Sequence, residues 1–292
     1  MISIDISIEY HVQKQLFSIL KEVLMMKVIL IILDGLDYHI AKNNMGYLLS
    51  ECQAKNGHLR SIQSVPPALS RPLYETILTG KTAKESGITH NDTQRLSTEK
   101  SIFHHTKNLG KVGAAAASHW FSELYNHTPF EPIDWRFIAN PHVTIPYGIF
   151  YFDWHYPDSH TFADAEYLRT HYHPDFLLIH PMGIDYSGAR YGHHSMEYHT
   201  SIQLIDSTFA HYLPRWLAED YQVFITSDHA LNNKNIIEKD DLSKTTKTAE
   251  NLEISTTIPL FIFGNQHQQY QHRTIKQTDI CEIICHLLEK ES

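Results

Sequence analysis

Two apolar runs that each end in an aspartate constrain this chain of 292 residues more than any other feature. The first run spans 27–34 and reads KVILIILD, with Gly35 next. The second spans 221–228 and reads YQVFITSD, with His229 next. Continuous apolar runs rich in β-branched residues are typical of buried strands in a parallel sheet, and such sheets carry ligand-binding and catalytic groups at the carboxyl ends of their strands. We therefore predict an α/β fold with a metal site where the two runs end.

A candidate nucleophile lies between the two runs. Residues 66–80 read PPALSRPLYETILTG and place Ser70 where a proline-rich loop meets a predicted helix over 70–80. A hydroxyl group at a helix N-terminus lies beside free backbone N–H groups and the positive end of the helix dipole, which suits attack on a phosphate. A serine here is also a common helix N-cap, so the local pattern alone leaves both roles open.

Five motifs occur in an order that resembles the alkaline phosphatase superfamily, and most of all its type I phosphodiesterase and nucleotide pyrophosphatase branch. They are LDG at 33–35, a PxxSxP loop followed by LTG at 67–80, ESGI at 85–88, GxDxxG at 183–188 and SDH at 227–229. The resemblance covers roughly residues 27 to 265. It implies a three-layer α/β/α sandwich with a mostly parallel central sheet and a cap-like insertion. It also implies a metal-dependent phosphoric ester hydrolase of the phosphodiesterase or pyrophosphatase type.

The same resemblance implies a serine nucleophile and a first metal site. Ser70 is the nucleophile, and the first ion is held by Asp34, Ser70, Asp228 and His229. Three oxygen ligands and one imidazole suit a divalent metal, with zinc as the expected ion and manganese as the alternative.

The second metal site of the family is incomplete in this chain. The family holds this ion with an aspartate, a histidine four residues later and another histidine well after the SDH motif. Asp185 keeps the aspartate, but Ala189 stands at the first histidine position, and no histidine occurs over 230–258. His193 and His194 lie just beyond and are alternative ligands. We expect one ion per chain, an impaired second site and weakened or lost activity.

Two further positions are candidates for substrate binding. Leu73 stands where the family branch often has an asparagine that contacts the phosphate, and Asn91 is a substitute donor. His119 opens the segment HWFSELYN at 119–126, which combines stacking surface with polar groups. That segment is compatible with a base or sugar pocket and equally with ordinary core packing.

Two rival functions stay open. A non-catalytic member of the fold would bind a phosphorylated ligand or a protein partner, and the number of ligands at the second site separates it from an enzyme. A sulfatase-like hydrolase is less favoured, because Tyr74 stands where the sulfatase signature S/C-x-P-x-R has its arginine.

Composition limits the partners. A net charge of −9 and the lack of any lysine or arginine cluster argue against binding of duplex nucleic acid, whereas a small phosphorylated molecule such as a nucleotide fits a metal-held site. The spacing of Cys52, Cys281 and Cys285 is not a metal or redox pattern, so we expect reduced, packed thiols.

We predict a single domain over 26–292 that is preceded by an appendage at 1–25. Residues 1–25 show neither a secretory signal pattern nor a catalytic motif, and no apolar run approaches the roughly 18 residues of a membrane helix. We therefore expect a soluble, cytoplasmic protein with no membrane partner.

The remaining pattern alternates as an α/β fold requires. We predict helices at about 38–55, at 97–109 with a Ser-x-x-Lys cap and a stop at Gly110, and at 195–217 with an interruption near Pro214. Strands are predicted at 176–180 and 259–264, and a buried strand or close-packed turn at 111–118. The aromatic-rich segment at about 120–175 has little periodicity and is interpreted as a substrate-facing insertion or cap.

Overall fold

The computed structural model describes residues 26–231 and 255–290. The predicted appendage at 1–25 and the segment 232–254 lie outside the described residues. A sheet of eight strands forms the centre of the fold. The strands are β1 (Lys27–Ile32), β2 (Gly57–Gln63), β3 (Gly113–Ser118), β4 (Phe137–Ala139), β5 (Tyr147–Tyr151), β6 (Phe176–Ile179), β7 (Tyr221–Thr226) and β8 (Thr257–Phe263).

The strand order brings the predicted site strands together. The order is β2-β8-β7-β1-β6-β3-β5-β4. β1 pairs in parallel with both β6 and β7, and β3 pairs in parallel with β5 and β6, whereas β8 runs antiparallel to β7 and β2, and β4 runs antiparallel to β5. The carboxyl ends of β7, β1 and β6 therefore lie side by side at the middle of the sheet.

Helices cover both faces of the sheet. They are α1 (Tyr38–Asn44), α2 (Gly46–Gln53), α3 (Ser70–Thr79), α4 (Ala83–Ser86), α5 (Ile102–Asn108), α6 (His119–Tyr125), α7 (Pro132–Trp135), α8 (Asp158–Tyr172), α9 (Gly183–Tyr191), α10 (Met196–Ala218) and α11 (Asp279–Glu289), with a 3₁₀ turn at His267–Tyr270. Val28 and Leu30 of β1 belong to one buried cluster, and Ile29 and Ile31 belong to another. This alternation confirms a three-layer α/β/α fold, because successive strand residues face opposite sides of a sheet. Within the described ranges no helix is both long and apolar enough to cross a membrane.

The helix that carries Ser70 begins and ends close to the predicted bounds. Leu69 is extended, with φ −135°, and the helix runs from Ser70 to Thr79. Gly80 closes it in the left-handed region at φ 72°, where its N–H donates to the carbonyl oxygen of Thr76. A glycine suits this cap because residues with a β-carbon are strained there. Every residue of α3 after Ser70 is buried, so the helix is held firmly on the sheet.

Three predicted element boundaries need correction. The helix expected over 38–55 is two helices, α1 and α2, which meet at Met45. The helix expected to begin at Ser97 begins at Ile102 instead, because Ser101 and His104 form the cap. Pro214 lies inside α10 without ending it.

The segment 120–175 has more regular structure than predicted. It contains β4, β5 and the 15-residue helix α8, and β5 pairs with β3 of the central sheet. Most of this segment is therefore part of the main fold, and its aromatic side chains remain candidates for facing a substrate.

Candidate active site

The loops after β1 and β7 bring three predicted ligands together. Asp34 and Asp228 are completely buried, and His229 is 3% exposed. One ligand atom from each of these three residues lies within 4.8 Å of the other two. Within the described residues they form a group that could hold a metal ion, and this ligand group lies where the two apolar runs end.

The donor set of this group suits a divalent cation. Nε2 of His229 lies 3.5 Å from Oδ1 of Asp34 and 3.4 Å from Oδ2 of Asp228. Both of these carboxylate oxygens are buried and have no hydrogen-bond partner in the described part of the chain. Buried polar atoms are almost always hydrogen-bonded, so two unpartnered carboxylate oxygens around one imidazole point to a bound ion. The residues present therefore fit a divalent metal ion.

Backbone hydrogen bonds tie the two loops to each other. The N–H of Gly35 donates to Oδ1 of Asp228 over 3.2 Å, and the N–H of Leu36 donates to Oγ of Ser227 over 3.0 Å. The hydroxyl group of Ser227 in turn donates to the carbonyl oxygen of His229 over 2.7 Å. These bonds hold the two loops together and restrain the carboxylate of Asp228.

Gly35 is required by both its conformation and its surroundings. Its φ is +72°, a region that residues with a β-carbon rarely adopt. A β-carbon there would also lie 2.8 Å from Oδ1 of Asp185. The glycine of the LDG motif therefore lets Asp185, on α9, approach the loop that carries Asp34.

Ser70 lies beside the group formed by Asp34, Asp228 and His229. Its Oγ is 3.1 Å from Nε2 of His229. Asn91 contacts the start of the same helix, because its Oδ1 accepts a hydrogen bond from the N–H of Arg71 over 3.1 Å. The structure therefore brings the candidate nucleophile, the ligand group and Asn91 into one site.

The site concentrates negative charge away from water. Burial, and then the charge of Asp34, raise the pKa of Asp185 and that of Asp228 to about 7. Burial lowers the pKa of His229, but Asp228 and Asp34 outweigh it and raise the pKa to about 9. Burial also acts to raise the pKa of Asp34, yet His180 and His229 hold it below its usual value. Few cationic side chains offset the charge of these three carboxyl groups. A bound divalent cation would reduce the repulsion among them.

The second metal site was expected to keep Asp185 as its one family ligand. Asp185 lies close to the loop that carries Asp34, but it is not among the three residues whose ligand atoms lie within 4.8 Å of one another. Ala189, one turn later on α9, is 7% exposed and supplies no ligand atom. His193 and His194 pack against each other, with ring centroids 3.8 Å apart.

Sequence comparison assigns the chain to a family. Residues 28–290 match the profile of the type I phosphodiesterase / nucleotide pyrophosphatase family. The chain belongs to this family. Membership makes it a hydrolase of the phosphodiesterase and pyrophosphatase type, within the alkaline phosphatase superfamily. No protein of curated function matches it in sequence.

Solved structures share the family fold at low sequence identity. Murine ectonucleotide pyrophosphatase / phosphodiesterase 5 is 13% identical with a TM-score of 0.65, and the match covers 91% of this chain and 95% of that chain. Alkaline phosphatase from the Antarctic bacterium TAB5 is 12% identical with a TM-score of 0.56, over 92% of this chain and 100% of that chain. Phosphonoacetate hydrolase from Sinorhizobium meliloti is 17% identical with a TM-score of 0.54, over 74% of this chain and 59% of that chain.

Aromatic side chains of this phosphodiesterase-family chain extend outward from the nucleophile helix. The guanidinium group of Arg71 lies over the ring of Trp120, 4.7 Å from its centroid. Trp120 meets Trp154 edge to face at 5.5 Å, and the neighbouring His119 packs on Phe130 at 5.2 Å. His119, a predicted substrate-binding residue, thus lies in an aromatic wall beside α3.

Sequence reasoning missed two residues that contact Asp34. The hydroxyl group of Tyr74 donates to Oδ2 of Asp34, and Nε2 of His180 lies 3.5 Å from the same oxygen. The positions of both residues in the sequence could have indicated that they lie near the site. His180 directly follows β6, a strand that ends beside β1, and Tyr74 lies one helical turn after Ser70 on the same face of α3.

Proposed function

We propose that this chain is a metal-dependent phosphodiesterase or pyrophosphatase with Ser70 as its nucleophile. One divalent ion, zinc or manganese, would be held by Asp34, Asp228 and His229 next to Ser70. The observation that carries the proposal is the convergence of Ser70 Oγ, two unpartnered buried carboxylate oxygens and an imidazole nitrogen at the carboxyl ends of β1 and β7.

The proposed reaction passes through a covalent phosphoserine. Oγ of Ser70 attacks the phosphorus, the bond to the leaving-group oxygen breaks, and the serine proton passes through solvent to the departing alcohol or phosphate. Water then cleaves the bond between phosphorus and Oγ, which releases the phosphate monoester and returns the proton to Ser70. A divalent ion bound by this donor set lowers the pKa of an adjacent hydroxyl group and offsets negative charge on the phosphoryl oxygens. The N-terminus of α3 adds backbone N–H groups at the same position.

Asn91 is the proposed phosphate contact that Leu73 does not supply. Its Oδ1 is held by the N–H of Arg71, which fixes the amide plane beside Ser70. Its Nδ2 makes no hydrogen bond within the described ranges and is available to donate to a phosphoryl oxygen.

The missing second-site ligands bear on which substrates react. Stabilising a poor leaving group and activating the hydrolytic water both depend on the second ion of a two-metal site. With Asp185 alone remaining, we expect weak turnover of esters with good leaving groups and almost none of unactivated nucleotides. The aromatic wall of His119, Trp120 and Trp154 suits a planar group on the substrate, such as a nucleobase. An inactive variant of the murine relative has been solved in complex with AMP, which agrees with a nucleotide as the ligand class.

Hydrolysis of bis(4-nitrophenyl) phosphate tests the proposal. We expect slow release of nitrophenol with Zn²⁺ or Mn²⁺, none with EDTA and none from Ser70→Ala. Ser61→Ala, which changes an exposed serine on β2, is the matched control and should keep wild-type activity. Equal activity of wild type and Ser70→Ala would overturn the assignment of Ser70 as the nucleophile. If no ester is hydrolysed and no adduct forms, the protein is instead a non-catalytic member that binds a phosphorylated ligand.

A further inference from the structure

The carboxylate of Asp34 faces two different environments. Its Oδ1 points into the ligand group and has no hydrogen-bond partner among the described residues. Its Oδ2 accepts a hydrogen bond from the hydroxyl group of Tyr74, and His180 lies on the same side. One oxygen is thus restrained by the protein while the other remains open.

We propose that Tyr74, assisted by His180, is a positioning residue that holds Oδ2 of Asp34 and so presents Oδ1 to the divalent ion. The inference rests on the proposed function, because it assumes that Asp34, Asp228 and His229 bind a metal. A carboxylate that is already oriented loses less freedom when it binds an ion, and groups that orient metal ligands typically affect affinity strongly.

Packing leaves the ring of Tyr74 little freedom. It stacks on Phe121 at 4.6 Å between ring centroids and meets His180 edge to face at 4.7 Å. Tyr74 is completely buried. The packing of the ring therefore holds the hydroxyl group where Oδ2 of Asp34 lies.

His180 is oriented by a residue of β5. The hydroxyl group of Tyr151 donates to the carbonyl oxygen of His180 over 2.8 Å, and the same hydroxyl oxygen lies 2.8 Å from Nδ1 of the ring. These two contacts orient the imidazole and turn its Nε2 toward Oδ2 of Asp34 at 3.5 Å. The ring of His180 therefore packs against the side of the carboxylate that Tyr74 holds.

Tyr74 also couples the nucleophile to the ligand group. Ser70 and Tyr74 lie four residues apart on α3, so they share one face of the helix. A rigid helix that holds Asp34 through Tyr74 thereby fixes the distance between Asp34 and Ser70. The same residue then serves both metal binding and alignment of the attacking oxygen.

Tyr125 provides a matched control. It is almost completely buried and lies in the same core cluster as Tyr74. Its hydroxyl group donates a hydrogen bond to the buried carboxylate of Glu75 over 2.6 Å. Tyr125→Phe and Tyr74→Phe each remove one buried hydrogen bond to a carboxylate. They differ in that only Tyr74 contacts a proposed metal ligand.

The experiment is a Zn²⁺ titration of wild type, Tyr74→Phe and Tyr125→Phe by competition with a chelating dye. We expect Tyr74→Phe to weaken Zn²⁺ binding by about 10- to 100-fold, whereas Tyr125→Phe should bind as wild type does. Equal affinity of wild type and Tyr74→Phe would overturn the proposal, and so would the same loss in Tyr125→Phe. Failure of the wild type itself to bind Zn²⁺ would overturn the proposed function instead.

A second variant keeps the test informative if Tyr74→Phe does not fold. Tyr151→Phe leaves Tyr74 and Asp34 intact but removes the hydrogen bond that orients His180. Circular dichroism of the metal-free variant establishes folding before the titration. Weaker Zn²⁺ binding by folded Tyr151→Phe supports the proposal, and unchanged binding contradicts the part assigned to His180.

Discussion

Ser70 Oγ and His229 Nε2 lie 3.1 Å apart, although the two residues are 159 positions apart in the chain. The contact joins the N-terminus of α3 to the loop after β7. β7 lies next to β1 in the sheet, so the ends of the two apolar runs lie side by side. Strand order thus brings Asp34, Asp228 and His229 together, and the position of α3 adds Ser70 to them.

Accumulation of a covalent adduct is the first prediction. Attack by Ser70 needs the complete ligand group, whereas release of the phosphoserine needs the water activation that a second ion provides. Intact-protein mass spectrometry after incubation with bis(4-nitrophenyl) phosphate and Zn²⁺ should therefore show a phosphoryl adduct at Ser70. The adduct should be absent from Ser70→Ala. A wild-type protein that turns over rapidly without any detectable adduct would show that the second half of the reaction is unimpaired.

Restoring one ligand of the second site should not restore that site. Ala189→His returns the histidine position on α9, but no histidine occurs over 230–258 to complete the set. We expect the metal content of Ala189→His to remain at one ion per chain by elemental analysis. Two tightly bound ions in this variant would mean that another residue already completes the site.

The stability of the metal-free protein should fall as pH rises from 6 to 9. Burial and Asp34 raise the pKa of Asp185 and Asp228 to about 7, well above the usual 3.8, and the neighbouring carboxylates raise the pKa of His229 to about 9. The folded state therefore binds more protons than the unfolded state in this range, and the corresponding stabilisation is lost as these groups deprotonate.

Urea unfolding in EDTA at pH 6 and pH 9 measures this change. Saturating Zn²⁺ should reverse it, because the ion requires deprotonated ligands. Asp228→Asn should make the free energy of unfolding depend less steeply on pH, since it removes one of the carboxyl groups with a raised pKa. Metal-free stability that increases from pH 6 to pH 9 would contradict the crowded-carboxylate description of the site.

The buried ion pair beside the nucleophile should be important for stability. Nη2 of Arg71 lies 2.6 Å from Oε2 of Glu123, and the two side chains are 1% and 2% exposed. Glu123→Gln leaves the charge of Arg71 buried without a counter-charge and should lower the free energy of unfolding by about 3–5 kcal/mol.

Glu219→Gln is the comparison for this prediction. Glu219 pairs with Arg169, but the side chain of Glu219 is 46% exposed. Loss of this ion pair should therefore lower the free energy of unfolding by at most about 1 kcal/mol. Both values come from urea unfolding at one pH. Equal losses for the two variants would show that burial does not set the strength of the Arg71–Glu123 pair.

The proximity of Asp34, Asp228 and His229 could be predicted from the sequence, because each follows an apolar run and parallel strands end at a common edge. The sequence pattern did not predict α8, whose buried positions include the polar residues Thr161 and Arg169. Arg169 bonds to Glu166 and Glu219, and only the folded chain shows this. The spacing of Tyr74 from Ser70 was visible in the sequence, but its contact with Asp34 across the core is seen only in the folded chain.

The proposed function requires one divalent ion among Asp34, Asp228 and His229 beside Ser70. Anomalous diffraction at the zinc edge, from crystals grown with Zn²⁺, locates such an ion. We expect one strong peak per chain within bonding distance of Asp34 Oδ1, Asp228 Oδ2 and His229 Nε2. A protein without a peak at these atoms, or with a second peak of equal strength at Asp185, would contradict it.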